Sequence, residues 1–249
     1  MKELSAELDR CAAAGRRVTF WLRDDDAVAV TAELERLLTL AGQWRIPLVL
    51  AVIPMPAEPE LAMRLADLDR VRVATHGFAH RNHAPPGERK QELGAHRPAA
   101  TVLDEIRLGR ERLDALFPGK TVPMLVPPWN RIADALIPHL PGLGLRYLSS
   151  FGQEAPHQPA PDLLRVDCQL DIIDWRSRRA HPRETLSGQL ADLVRRRAGT
   201  SAPIGILAHH LVHDAAAWAF LAELLRLTAG HEAVTWGWPV SGFAAEPER

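Results

Sequence analysis

Short apolar runs alternate along this chain with longer segments whose apolar residues recur at helical spacing. The runs predicted as buried strands are residues 18–22, 48–53, 71–74, 123–126, 145–148 and 204–208. The helical pattern covers residues 31–43, 98–117 and 214–228. Strand–helix alternation repeated this often predicts a parallel α/β fold, built either as a barrel or as an open doubly wound sheet.

Composition narrows the class of protein further. The chain has 249 residues, of which 47% are hydrophobic and 24% charged, so we expect one domain spanning residues 1–249. A net charge of -1 provides no basic field, and we expect neither nucleic acid nor a membrane surface as a partner. The sequence shows no secretory signal, no apolar stretch near the ~20 residues of a membrane span and only two cysteines, so a cytoplasmic location is expected.

Polar clusters follow four of the predicted strands. They are Asp24-Asp25-Asp26, His76, Pro127-Pro128-Trp129 and His209-His210. In both kinds of parallel α/β fold, reactive groups gather at the carboxyl ends of the strands. The position of these clusters therefore indicates a functional site. The segment 81–98, rich in His, Pro, Gly and charge, is predicted to be a loop over the same face, as a lid or a substrate contact.

The acid triplet has two interpretations. Three adjacent carboxylates repel one another, which favours a bound cation or a nearby arginine. The alternative is a solvated acid cluster that caps the helix beginning near Thr31. Strand alternation sends Asp24 and Asp26 to one face and Asp25 to the other, unless the strand end twists out of register.

His76 and His80 are four residues apart, directly after a predicted strand. On a helical turn this spacing puts both imidazoles on one face, where they can share a metal ion. Gly77 occupies the position of the glutamate in an HExxH zinc helix, so a general base must come from elsewhere, and the acid triplet is its expected source.

Two further segments carry candidate groups. An imidazole at His209 suits a general acid near neutral pH, although a structural histidine pair explains His209-His210 equally well. Because prolines lack an N–H group, Trp129 supplies the first backbone donor after Pro127-Pro128, as an oxyanion hole requires. A strand-to-helix turn with a packed tryptophan is the alternative.

Taken in order, these segments resemble the polysaccharide deacetylase superfamily (NodB homology, carbohydrate esterase family 4). The matching segments are Arg23-Asp24-Asp25-Asp26-Ala27, His76-Gly77-Phe78-Ala79-His80, Val126-Pro127-Pro128-Trp129, Asp174-Trp175 and Leu207-Ala208-His209. The resemblance runs from about residue 18 to 210 and implies an irregular (β/α) barrel, usually of seven strands. It also implies Asp25 as the base and Asp26, His76 and His80 as ligands of a divalent metal, with Zn²⁺ the expected ion.

The resemblance further implies His209 as the acid, Asp174 as the residue that sets its tautomer, and the Trp129 N–H as an oxyanion donor. The expected reaction removes an acetyl group from an N-acetylated sugar or related amide, small or oligomeric. The alternatives are hydrolysis of a non-sugar C–N bond in a small metabolite, and a non-catalytic carbohydrate-binding relative.

The chain departs from the family pattern at three positions. Val126 replaces the arginine that orients the catalytic acid, for which Arg23 or Arg131 are candidate substitutes. Ala27 replaces the glycine of the first motif, and Gly77 replaces a hydroxyl residue between the two histidines. The triplet also leaves open the register in which it matches the motif. The base and the ligand are either Asp25 and Asp26 or, alternatively, Asp24 and Asp25.

Overall fold

The computed structural model describes residues 1–152, 157–240 and 243 of the chain. The α-helices within them are α1 (Lys2–Ala13), α2 (Ala32–Gln43), α3 (Pro59–Leu65), α4 (Ala99–Leu116), α5 (Arg183–Arg197) and α6 (Ala215–Thr228). The 3-10 helices are Pro128–Asn130, Asp134–Leu143 and His210–Val212. The strands are β1 (Val18–Ala27), β2 (Leu48–Val52), β3 (Val71–His76), β4 (Thr121–Val126), β5 (Tyr147–Leu148), β6 (His157–Ala160), β7 (Leu163–Arg165), β8 (Leu170–Asp171), β9 (Ile173–Asp174), β10 (Arg179–Ala180), β11 (Ile204–Ala208) and β12 (Val234–Trp236).

The chain divides into two compact units. Unit 1 comprises Met1–Asp24, Thr31–Val49 and Cys168–Arg249, and unit 2 comprises Asp25–Val30 and Leu50–Asp167. Strands β1 and β2 contribute residues to both units. The single domain predicted for residues 1–249 stays a prediction, and its residues 153–156, 241–242 and 244–249 lie outside those described.

Unit 1 contains parallel strands with helices packed beside them. Strand β1 pairs in parallel with β11 and β12, and β11 pairs in parallel with β8. Helix α2 begins at the N-cap Thr31, whose side chain accepts a hydrogen bond from the Leu34 N–H, and α6 begins in the same way at Asp214. Helices α1 and α5 are joined by Glu7, a buried carboxylate that lies 3.3 Å from the Arg195 guanidinium and also contacts Arg10.

Unit 2 repeats this strand and helix pattern. Strands β3, β4, β5 and β7 are neighbours in that order and pair in parallel, and β6 then adds to β7 as an antiparallel strand. A buried apolar core lies between these strands, α4 and the 3-10 helix Asp134–Leu143. Its buried members are Leu93, Val102, Ile106, Leu125, Leu136, Ile137, Leu140, Leu145, Leu148, Ala160 and Leu163.

The predicted parallel α/β architecture is confirmed, but the predicted count of seven strands is wrong. Seven of the strands in the described residues have only two to four residues, for example β5 and β8, which is too short for an apolar period to show in the sequence. The first strand is also longer than predicted, because β1 continues through the acid triplet to Ala27. Among the described residues, no helix is long and apolar enough to cross a bilayer.

Candidate active site

Three predicted metal ligands come together in unit 2. Single donor atoms of Asp26, His76 and His80 all lie within 4.8 Å of one another. The Asp26 Oδ1 atom lies 3.1 Å from the His76 Nε2 atom and 3.3 Å from the His80 Nε2 atom. His76 is buried, whereas the Asp26 and His80 side chains are 27% and 22% exposed, so the cluster is reachable from solvent on one side.

The backbone route between the two histidines differs from the prediction. His76 is the last residue of β3, and residues 77–80 form a loop in place of the expected helical turn. The loop contains two left-handed residues, with φ of 59° at Gly77 and 54° at His80. Asp26 is also left-handed, with φ of 73°. Left-handed conformations at non-glycine residues cost of order 1–3 kcal/mol each and cluster at functional sites, and here two of them carry metal-type ligands.

The ring orientation of His76 is fixed by a hydrogen bond at the ring nitrogen that does not face Asp26. Its Nδ1 atom lies 2.8 Å from the Val126 carbonyl oxygen, so Nδ1–H donates there and Nε2 faces Asp26. Burial lowers the pKa of His76, but the bond to Asp26, the charges of Asp25 and Asp26 and the Val126 carbonyl together raise it above the ordinary value. Burial and the charge of His76 lower the pKa of His80. The pKa values of the two imidazoles are therefore shifted in opposite directions.

This donor set fits a divalent metal ion. Two imidazole nitrogens and one carboxylate oxygen are one of the ligand sets of catalytic zinc sites, which keep a further position open for water. A ligand histidine typically donates its second ring N–H to a carbonyl or carboxylate, and the His76 bond to Val126 is of this kind. The lone pairs of the histidine Nε2 atoms and of Asp26 Oδ1 converge here and repel one another. A bound cation relieves this repulsion, and without a cation a shared proton is needed.

Asp25 and Trp129 lie beside this cluster. Asp25 is 2% exposed and close enough for its charge to raise the pKa of His76. The Trp129 ring centroid is 4.3 Å from that of His80, and the Lys90 Nζ atom lies 6.0 Å from the tryptophan ring. Trp129 is left-handed, with φ of 55°, inside the short helix Pro128–Asn130. The base role of Asp25 and the oxyanion role of the Trp129 N–H stay predictions.

A second polar cluster lies in unit 1. Asp24 accepts hydrogen bonds from the backbone N–H of His210, at 2.8 Å, and from its ring Nδ1–H. The His209 backbone N–H donates to the Nε2 atom of His213 at 3.4 Å, and the His209 ring meets the Trp175 ring edge-on, with centroids 4.5 Å apart. Trp175 is in turn held by its indole N–H, which donates to Asp171 at 2.8 Å.

Asp174 lies at the end of β9, next to Trp175. Its Oδ1 atom accepts the Arg176 N–H at 3.0 Å and its Oδ2 atom accepts the Ser177 hydroxyl at 2.8 Å. These two bonds, that from the Arg176 N–H first, lower the pKa of Asp174. The predicted roles of Asp174 and of His209 as an orienting residue and an acid stay predictions.

One residue beside the metal-type cluster has no counterpart in the sequence prediction. Glu92, from the segment predicted to be a lid or a substrate contact, is 1% exposed and accepts hydrogen bonds from the backbone N–H groups of Phe78, Ala79 and Arg81. The sequence signal was weak, because a single glutamate 12 residues after His80 belongs to no periodic pattern. Only its place before the apolar Leu93 hinted at burial.

Neither a protein-family profile nor a curated protein sequence matches the chain. Solved structures do match. A putative polysaccharide deacetylase from Mycobacterium smegmatis aligns with a TM-score of 0.63 at 14% identity, over 89% of this chain and 87% of that one. A family 4 carbohydrate esterase from Streptomyces lividans, in complex with acetate, aligns with a TM-score of 0.55 at 17% identity, over 94% and 98%.

A mutant of a carbohydrate esterase family 4 pseudoenzyme, described as having restored enzymatic activity, also matches. Its TM-score is 0.56 at 14% identity, over 85% of this chain and 62% of that one. At these identities the likeness shows the fold. The predicted resemblance to the polysaccharide deacetylase superfamily and the predicted irregular, NodB-like (β/α) barrel are thus confirmed at the level of fold.

Proposed function

We propose that this chain is a metal-dependent hydrolase that removes an acetyl group from an N-acetylated sugar or a related amide. The single observation that carries the proposal is the convergence of Asp26, His76 and His80 within 4.8 Å, on a chain with the fold of the deacetylases. The substrate is small or oligomeric, and a cytoplasmic location is part of the proposal.

The proposed ligands are Asp26, His76 and His80, and Zn²⁺ is the proposed ion. When bound, such an ion lowers the pKa of its water from 15.7 toward about 7 and polarises the amide carbonyl. His80, whose pKa is lowered by burial, offers a neutral imidazole without first losing a proton. The Val126 carbonyl keeps the His76 ring turned so that Nε2 faces Asp26.

The remaining roles belong to the chain's own acids, bases and donors. Asp25 is the proposed base, which takes a proton from water as its oxygen attacks the acetyl carbonyl carbon. The Trp129 N–H is the proposed donor to the carbonyl oxygen as negative charge develops on it. His209 is the proposed acid, which gives a proton to the amine nitrogen as the C–N bond breaks. The roles of His209 and of its orienting residue Asp174 rest on their match to the family motifs. The products are acetate and a free amine.

The test begins with elemental analysis of the purified protein. We expect about one equivalent of a divalent metal in the wild type and none in the His76→Ala/His80→Ala variant. The matched control is His139→Ala/His157→Ala, which removes two exposed histidines and retains the metal. Absence of metal from the wild type, even after reconstitution with Zn²⁺, would overturn the proposal.

Substrate class is then tested by acetate release. Metal-loaded protein is incubated with N-acetylglucosamine, its oligomers and acetylated non-sugar amines. Release from the sugars supports the proposed class, whereas release only from the other amines would assign the site to non-sugar C–N bonds. A metal-loaded protein that binds acetylated sugars without releasing acetate would be a carbohydrate-binding relative, an outcome for which Val126 in place of the family arginine already provides one reason.

A further inference from the structure

Glu92 is a buried carboxylate whose two oxygens both point into the loop that carries His80. The Oε2 atom accepts the Phe78 N–H at 3.1 Å, and the Oε1 atom accepts the Ala79 N–H at 2.9 Å and the Arg81 N–H at 3.1 Å. Buried backbone N–H groups need acceptors, and this loop has neither helix nor strand to supply them. Glu92 therefore supplies the hydrogen-bond acceptors for the 77–81 loop that a neighbouring strand supplies in a β-sheet.

Gly77 makes room for this carboxylate. A Cβ atom added at Gly77 would lie 2.1 Å from the Glu92 Oε2 atom and 2.5 Å from the Pro128 Cγ atom, both far inside van der Waals contact. The left-handed φ of 59° at Gly77 also favours glycine. The absence of a side chain at Gly77 thus makes room for the carboxylate of Glu92, which lies 15 positions later in the sequence.

Glu92 is itself held firmly. The next residue, Leu93, is fully buried in the core of unit 2, and its carbonyl accepts the Ala133 N–H at 2.8 Å. The Glu92 carbonyl accepts a bond of 3.3 Å from Arg97, whose guanidinium is fixed by two bonds to Glu105 of α4. The backbone that carries Glu92 is therefore anchored to the core of unit 2, and the carboxylate links the loop to that anchored backbone.

We propose that Glu92 is a positioning residue for the metal site: it holds the 77–81 loop so that His80 is presented beside His76 and Asp26. This inference rests on the proposed function, since it assumes that those three residues bind a metal ion. Glu92 is not one of the three residues whose donor atoms converge at the site, and both of its oxygens accept bonds from backbone N–H groups. Its negative charge lies next to the site and favours a cation there. Outer residues of this kind typically control metal affinity by 10- to 100-fold.

The test is Glu92→Gln, which keeps the shape and one acceptor oxygen but turns an NH₂ group toward a backbone N–H donor. The metal dissociation constant is measured by competition with a chelator, and the visible absorption spectrum of the Co²⁺ form reports ligand geometry. We expect a dissociation constant for Zn²⁺ raised by about 10- to 100-fold and a changed Co²⁺ spectrum. The control is Glu88→Gln. Glu88 lies in the same 81–98 segment as Glu92 but has a 58% exposed side chain, so this variant should bind metal like the wild type.

A second variant covers the case in which Glu92→Gln does not fold. Gly77→Ala leaves Glu92 intact but puts a methyl group where its carboxylate lies, and it should weaken metal binding in the same way. Gly87→Ala is its control, because Gly87 is also left-handed, with φ of 89°, but has no atom within 4 Å of an added Cβ. Both glycine variants thus place alanine at a left-handed position, and they differ in the contacts that the added methyl group makes with Glu92 and Pro128.

The outcomes separate this inference from the proposed function. A wild-type protein that binds no divalent metal would overturn both. If the wild type binds metal and Glu92→Gln binds it equally well with the same Co²⁺ spectrum, while the metal-free variant melts at a lower temperature, Glu92 has only a general structural role. That result would contradict the inference about Glu92 but not the proposed function.

Discussion

Asp24 and His210 form a hydrogen-bonded pair in which both side chains are almost fully buried. The Asp24 carboxylate accepts the backbone N–H of His210 at 2.8 Å and also the ring Nδ1–H. It thereby fixes the 3-10 helix His210–Val212 to β1 within unit 1. Two residues further on, Asp26 faces His76 and His80 in unit 2. Neighbours in one acid triplet therefore have different partners, and this favours Asp25 and Asp26 over Asp24 and Asp25 as the base and ligand pair.

The metal content of two single variants tests this division of the triplet. Asp26→Asn should lose the metal, because an amide is a poor substitute for a carboxylate ligand. Asp24→Asn should retain it but lose roughly 1–3 kcal/mol of stability, since an amide NH₂ then faces the donors of His210. Elemental analysis and urea unfolding measure the two effects. Metal kept in Asp26→Asn but lost from Asp25→Asn would instead support the alternative register, in which Asp24 is the base and Asp25 the ligand.

Asp25 should separate metal binding from turnover. An Asp25→Asn variant keeps the size of the side chain but cannot accept a proton from water, so acetate release should fall by at least about 100-fold, the usual contribution of a general base. Metal content should not change. Asp134→Asn, which alters an exposed acid elsewhere in unit 2, is the control and should keep full activity. Undiminished turnover in Asp25→Asn would remove Asp25 from the mechanism.

The sequence predicted the elements that repeat a pattern over many residues. The helix expected over residues 98–117 is observed as Ala99–Leu116, and that over 31–43 as Ala32–Gln43 with Thr31 as its N-cap. The convergence of Asp26, His76 and His80 was also predicted correctly, because the three lie in segments that match the motifs of a family with this fold. The helices follow from a local pattern and the convergence from the order of the family motifs, and the folded structure overrides neither.

Features that depend on contacts between distant residues were missed or misread. The turn between His76 and His80 was predicted as helical, but Gly77 and His80 adopt left-handed conformations in a loop whose backbone N–H groups donate to the carboxylate of Glu92. Spacing along the chain cannot distinguish the two routes, since both bring the rings together. Similarly, β1 extends through the acid triplet: its pairing with β11 reaches Asp24, and the Ala27 carbonyl accepts the Ile53 N–H at 3.1 Å. No periodicity in the sequence encodes that pairing.

Gly109 in the middle of α4 should resist replacement by alanine. A Cβ atom there would lie 2.9 Å from the Pro54 Cγ atom and 3.2 Å from the Gly77 carbonyl oxygen, so the helix would be pushed away from the 77–81 loop. Overpacking of this kind costs about 1–3 kcal/mol and should outweigh the gain of up to about 1 kcal/mol in helix propensity. Thermal and urea unfolding measure the net effect.

Gly42 provides the matched control for that change. It lies in α2, and an added Cβ atom would have no neighbour within 4 Å, so Gly42→Ala should stabilise the protein by up to about 1 kcal/mol. Opposite signs for the two glycine variants are therefore expected. Equal stabilisation by both would show that α4 can shift freely, and it would contradict the close approach of Gly109 to the loop that carries His80.

His213 should make the stability of the protein depend on pH. Burial, which outweighs the neighbouring charges, lowers the pKa of His213 to about 4. Its ring packs edge-on against Trp218, and its Nε2 atom accepts the His209 N–H. Because the unfolded chain has the ordinary histidine pKa of about 6.5, it binds more protons than the folded protein between pH 4 and 6.5, and stability falls as pH decreases across this range.

The His213→Gln variant keeps an acceptor but cannot take up a proton. Its free energy of unfolding should therefore fall less steeply with decreasing pH than that of the wild type, by up to roughly 3 kcal/mol between pH 6.5 and 4 at about 1.4 kcal/mol for each pK unit. Urea unfolding at intervals of half a pH unit measures both curves. His139→Gln, at an exposed position, should follow the wild type. Parallel curves for wild type and His213→Gln would mean that His213 takes up its proton equally well in the folded protein, contrary to its burial against Trp218.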